Sequence, residues 1–117
     1  MRTFLLPLVA FAFFVACGVV NGKSPSARIS LYKYAGSVQC TGGGASLSDL
    51  ERQLTDAGIQ VFSSACGLDG NVYAAVCGGA DGRICIFEVR EAQVQAASAV
   101  GFTPLSNLPD ATKVACQ

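Results

Sequence analysis

Apolar and polar positions alternate in two rhythms along this chain. Over Arg28–Ala35 the period is two: Ile29, Leu31, Lys33 and Ala35 share one face, and Arg28, Ser30, Tyr32 and Tyr34 the other. That is the pattern of a half-buried strand. After the break at Gly42-Gly43-Gly44 the rhythm becomes helical. Leu47, Leu50, Leu54 and Ala57 recur on one side, with Asp49, Arg52, Gln53 and Asp56 opposite them. Ser48 with Glu51 makes a capping box, Ser46 with Asp49 an overlapping one, and Gly58 stands where a helix is stopped. The pattern predicts a helix over Ser48–Ala57. Three apolar runs follow, Ile59–Cys66, Val72–Cys77 and Ile84–Val89, separated by Asp69-Gly70 and Asp81-Gly82. Asp-Gly between apolar runs signals a tight hairpin, so the runs read as a three-stranded meander.

The remainder is less regular. Glu91–Val100 is rich in Ala and good helix formers, and Gly101 can end it. Phe102–Asp110 carries Pro104 and Pro109 and reads as irregular, packed down by Leu105 and Leu108. Thr112–Cys116 reads as a short final strand. The order β-α-β-β-β-α-(β) predicts a small α+β domain, a mainly antiparallel sheet with two helices on one face.

The first 22 residues have a different character. Arg2 precedes an uncharged run that lasts to Lys23, which is the layout of a secretory signal over 1–22. Thr3–Val20 is also long enough for a retained membrane-spanning helix. Phe14-Val15-Ala16-Cys17 resembles a bacterial lipobox, with Phe14 where Leu is expected; lipidation at Cys17 would make the stretch that follows a tether. The domain organisation expected is therefore a signal over 1–22, a short tether over 23–27 and one domain over 28–117. Export would be secreted or periplasmic, with lipid anchoring at Cys17 as the alternative.

Discarding or acylating Cys17 leaves five cysteines, Cys40, Cys66, Cys77, Cys85 and Cys116. In an oxidising compartment that allows two bridges and one odd thiol. No CxxC occurs, so neither a thioredoxin-like motif nor a zinc knuckle is present. Centring the second hairpin on Asp81 sets Cys77 opposite Cys85, while the first hairpin sets Cys66 opposite Tyr73. With the strands on either side of the first helix parallel, Cys40 and Cys66 fall at one end of the sheet and Cys77 and Cys85 at the other. The expectation is a Cys77–Cys85 bridge and a second bridge among Cys40, Cys66 and Cys116. Cys40–Cys116 is favoured for the second, with Cys66 as the free thiol.

Composition narrows the function. In 117 residues there are 8 Lys+Arg, 8 Asp+Glu and no His, and charged residues make up 14 %. A neutral chain lacks the cationic surface that neutralises nucleic-acid phosphates. Without His there is no Ser-His-Asp or Cys-His pair. Asp49, Glu51 and Asp56 belong to the helix, and Asp69 and Asp81 to turns that ask for such residues. No metal site and no cofactor are expected. Two surfaces stand out. Gly42, Gly43 and Gly44 lead into a helix N-terminus, where backbone N–H groups can hold an anion. Arg28, Tyr32 and Tyr34 share a face that is either a partner surface or the cover of a second apolar layer. The reading is a non-enzymatic exported module that binds a protein or envelope component, in the manner of an inhibitor or effector. The alternative is a thiol-based redox or stress protein using the unpaired cysteine, with a homodimer through that cysteine.

Overall fold

The computed structural model describes residues 27–117; the expected signal, the alternative of lipidation at Cys17 and the expected tether up to Ser26 lie outside them. Strand β1 (Arg28–Tyr34) is followed by helix α1 (Leu47–Asp56), strands β2 (Ser63–Leu68) and β3 (Arg83–Arg90), and helix α2 (Val94–Ala99). Two short strands, β4 (Thr103–Pro104) and β5 (Thr112–Val114), complete it. They form one five-stranded sheet in the order β4-β1-β3-β2-β5 with antiparallel pairing throughout. The expected α+β class, sheet and two helices are all present.

β1 and β2 both run antiparallel to β3, so they are parallel to each other with β3 between them. The α1 crossover links them, as expected for parallel strands. Leu31, Cys85, Phe87 and Val89 turn one face of the sheet towards Leu50 and Leu54 of α1 and Ala97 of α2. Phe102 meets Phe87 edge-on, with ring centroids 5.7 Å apart. Lys33 is the polar residue of the β1 core face. Its ammonium sits 5.1 Å from the Phe102 ring centroid and donates to Gln53 Oε1 (2.7 Å) and to the Val100 carbonyl at the end of α2 (3.0 Å). This is how a long cationic side chain covers apolar surface while its head stays solvated and paired.

Helix α1 begins one residue earlier than its pattern predicts. Of the two overlapping capping boxes, the earlier forms: Asp49 N–H donates to Ser46 Oγ (3.1 Å), and Ser46 N–H to the Asp49 carboxylate (3.4 Å). Gly58, at φ +78°, ends the helix and lets Ile59 turn back into the core. The segment Glu91–Val100 splits into a 3-10 turn (Glu91–Gln93) and the shorter α2.

The larger correction concerns Val72–Cys77. It is not a strand. β2 passes directly to β3 through a fourteen-residue loop, 69–82, and the two strands pair with Ser63 opposite Glu88 and Cys66 opposite Cys85. Removing one strand from the meander reverses the direction of the next. β3 therefore starts at the end of the sheet where β2 stops. All five cysteines gather at that end instead of being divided between two. The bridges are Cys40–Cys77 and Cys66–Cys116, and Cys85 is the free, buried thiol. The expected Cys77–Cys85 and Cys40–Cys116 bridges do not form, and Cys66 is not free. The count of two bridges and one odd thiol stands, as does a bridge drawn from Cys40, Cys66 and Cys116.

Candidate functional site

Among the described residues, the loop 69–82 contains the longest run of exposed positions. All eight residues from Asn71 to Gly78 are exposed, Val72 is 99 % exposed and Val76 57 %. The chain runs from Asn71 to Val76 without a turn or bend. Apolar side chains on open loops are normally turned inward, because burying one is worth roughly 1.5–3 kcal/mol. Here they are held out.

Three devices hold them. The first is at the root of the loop, where the two Asp-Gly pairs come together: Asp69 N–H donates to the Gly82 carbonyl (2.9 Å). Asp69 is 2 % exposed, and its carboxylate collects four hydrogen bonds. Asn71 donates from its backbone N–H (2.9 Å) and its side-chain amide (3.1 Å), Tyr34 from its hydroxyl (3.1 Å), and Tyr73 from its hydroxyl. Burial alone would raise the Asp69 carboxyl, but the bonds from Tyr73, Asn71 and Tyr34 outweigh it and hold it below the ordinary value of 3.8. Burial, and then the bond to Asp69, push the Tyr34 phenol up to about 12. Gly82 closes this cage: at φ +73° it takes a backbone conformation that suits glycine, and a Cβ there would lie 2.7 Å from both Asp69 Oδ1 and Tyr73.

The second device is Gln39. Its side-chain amide reaches across to the loop, donating to the carbonyls of Ala74 (2.8 Å) and Ala80 (3.0 Å) and accepting from Val76 N–H (3.1 Å). Its backbone exchanges two further bonds, from its N–H to the Gly79 carbonyl (2.9 Å) and from Gly78 N–H to its carbonyl (3.0 Å). The third device is the adjacent Cys40–Cys77 disulfide. Opposite this segment, Val38 pairs with Gly42 and with Ala80, which makes a tight hairpin with Cys40 at its tip (φ +72°).

The glycine run predicted as an anion site serves this clamp. Gly42, Gly43 and Gly44 all lie at positive φ, and a side chain at Gly44 would collide with the Ala35 carbonyl. The N-terminus of α1 that the run leads into is occupied by its own capping carboxylate, Asp49. Arg28, Tyr32 and Tyr34 do share the sheet face away from the helices. Tyr32 and Tyr34 lie opposite Ile86 and Ile84, which are buried, so they roof a second apolar layer. Arg28 is 3.2 Å from Glu88 and stacks over Phe62 at 3.8 Å. Only Tyr34 of the three reaches the loop.

Sequence reasoning passed over Gln39, Tyr73 and the role of Asp69. One signal was available: Val72–Cys77 is followed by Gly78-Gly79, and its centre is Ala74-Ala75, which offers a strand little to bury. Cys85, the odd thiol, is 4 % exposed, and burial pushes it up from its ordinary value. A homodimer bonded through this thiol would require the core to open. Among the described residues no group of three His, Cys, Asp or Glu side chains could hold a metal ion, and no helix is long and apolar enough to cross a membrane. Two disulfides are the chemistry of an oxidising, exported environment. No family model, curated protein or solved structure matches this chain.

Proposed function

We propose that this protein is an exported, non-enzymatic module that binds a protein or envelope component through the loop 69–82, as an inhibitor or effector does. The observation that carries the reading is the display of Val72 and Val76 on a backbone immobilised by Asp69, Gln39 and the Cys40–Cys77 bridge. Pre-ordering a loop removes much of the entropy that a partner would otherwise have to offset on binding. Among the described residues, the Val72 and Tyr73 backbone groups have no hydrogen-bond partner, which leaves them open to a binding partner. Secretion fits the two disulfides and the signal-like first 22 residues.

The test uses a photo-crosslinking residue placed at position 72, and in a second protein at the exposed Arg52 of α1. Each is presented to envelope and culture extracts. The expected result is a discrete adduct from position 72, lost on competition with unlabelled protein and retained on competition with a Val72→Asp, Val76→Asp double variant. Adducts that form equally from position 52, or that the double variant competes away, would overturn the reading.

A further inference from the structure

We infer that Cys85 is the entering thiol of an internal disulfide exchange, which converts the Cys66–Cys116 bridge into a Cys66–Cys85 bridge and passes the odd thiol to Cys116. The inference is independent of the binding loop and rests on the register of the sheet. Cys66 lies directly opposite Cys85 in the β2–β3 pair. Residues directly opposite in an antiparallel pair share a face, with Cα atoms roughly 4.5–5.5 Å apart. A disulfide spans Cα separations of about 4.4–6.8 Å. The backbone of β2 and β3 therefore already suits a Cys66–Cys85 bridge, and only side-chain rotation is needed to reach it. Cys85 faces α1 within the core, so Cys66 and its bridge lie on that side too. Cys66, Cys85 and Cys116 line one cavity of about 540 Å3, together with Gly67 and Leu47. Three cysteines thus line one space, with one disulfide among them.

The exchange needs no oxidant and no reductant. Cys85 gives up its proton and attacks Cys66 Sγ. The Cys66–Cys85 bond forms as the Cys66–Cys116 bond breaks, and Cys116 leaves as a thiolate that takes up a proton. The number of disulfides is unchanged. What changes is the position of the free thiol. Cys85 is buried, whereas Cys116 is exposed on the segment that follows β5. After exchange β5 keeps its pairing with β2, so the segment loses its covalent tie without losing its strand. Cys116 is then the modification site, and its substrate class is an external disulfide. Its thiolate attacks one sulfur of that disulfide, forming a mixed disulfide and releasing the other half as a thiol. The resting form favours Cys85 as the thiol, since burial keeps it protonated. Exchange therefore accelerates as pH rises.

The probe is a symmetrical aromatic disulfide whose released half is coloured. Native protein is incubated with it at pH 7 and pH 9, quenched in acid and mapped by non-reducing peptide analysis. The expected product carries the aromatic group on Cys116 and yields a Cys66–Cys85 peptide, and it forms faster at pH 9. Cys85→Ala should slow labelling at Cys116 by at least about tenfold while retaining both original bridges. Cys116→Ser should yield a Cys66–Cys85 bridge and no free thiol. Labelling on Cys85 with Cys66–Cys116 intact, undiminished labelling of Cys116 in Cys85→Ala, no labelling at either pH, or free thiols at Cys66 and Cys85 in Cys116→Ser would each overturn the inference.

Discussion

Replacing Asp69 with Ala tests whether the loop is held by its root. The substitution removes a buried carboxylate and leaves two phenols and an asparagine amide without their acceptor. A hydrogen bond to a charged group contributes about 1.5–3 kcal/mol, and a buried group left unpaired costs about 1–3 kcal/mol. The full sum does not apply here. Tyr34 is 43 % exposed and Tyr73 37 %, so water can replace part of what Asp69 supplied. The net loss should therefore be about 2 kcal/mol, with the part-buried bonds from Asn71 retained in the cost. In a domain of this size that lowers the melting temperature by about 8–16 °C. The assay is thermal unfolding of the oxidised protein followed by circular dichroism, with Asp69→Asn as the milder variant. The pH dependence adds a second check. The folded carboxyl lies below its unfolded value of 3.8, so its stabilisation is complete well above that value and is lost as pH falls through it. Wild type should destabilise on acidification more steeply than Asp69→Asn. A melting temperature of Asp69→Ala within about 2 °C of wild type, with parallel acid profiles, would refute the claim that this carboxylate organises the loop.

The same cage sets the tyrosine titration. Tyr34 should ionise only as pH approaches about 12, followed by ultraviolet absorbance, and Asp69→Asn should bring that ionisation back towards 10. Gly82→Ala, which combines a positive φ with a Cβ 2.7 Å from Asp69 Oδ1 and Tyr73, should cost at least about 2 kcal/mol in urea unfolding; a neutral effect would show that the cage is soft. The Cys40–Cys77 bridge closes a separation of 37 residues, so Cys40→Ser with Cys77→Ser should lose about 4 kcal/mol and increase amide hydrogen exchange over 71–78 before it does so in β3. Phe87→Ala, at the fully buried centre of the sheet, should lose about 3–5 kcal/mol, and its exchange effects should spread across all strands and not only the loop.

The fold was legible where one residue pattern had one structural answer. The alternation over β1 places Leu31 in the core and Tyr32 on the opposite face, and the spacing of Leu50 and Leu54 faces α1 to the sheet. Ambiguity entered at Val72–Cys77, because a short apolar run between two Asp-Gly pairs suits a strand and an exposed loop equally. What separates them is non-local: a strand needs a neighbour, and here the would-be partner, β3, already lies between β1 and β2. Gln39 then supplies from its side chain the hydrogen bonds that a neighbouring strand would have given Ala74 and Val76. No local pattern in the sequence announces that substitution, since a glutamine 35 residues away is read as a solvated polar residue.

The cysteine pairing shows how a single strand decides the chemistry. Pairing in a meander depends on parity: each added strand reverses direction and carries its cysteines to the other end of the sheet. Reading Val72–Cys77 as a strand put Cys77 and Cys85 at one end, facing each other across a hairpin. As a loop, the same residues release Cys77 to reach Cys40 on the neighbouring hairpin, and they bring Cys85 opposite Cys66. A strand at Val72–Cys77 would therefore do more than re-pair two bonds. It would hide the exposed loop, because a paired strand would consume the backbone groups that, among the described residues, stand open at Val72 and Tyr73. It would also separate Cys85 from Cys66 and Cys116, which line one cavity beside β2. The loop and the sulfur cluster are two consequences of one topological fact, that β2 runs straight into β3 and leaves fourteen residues outside the sheet.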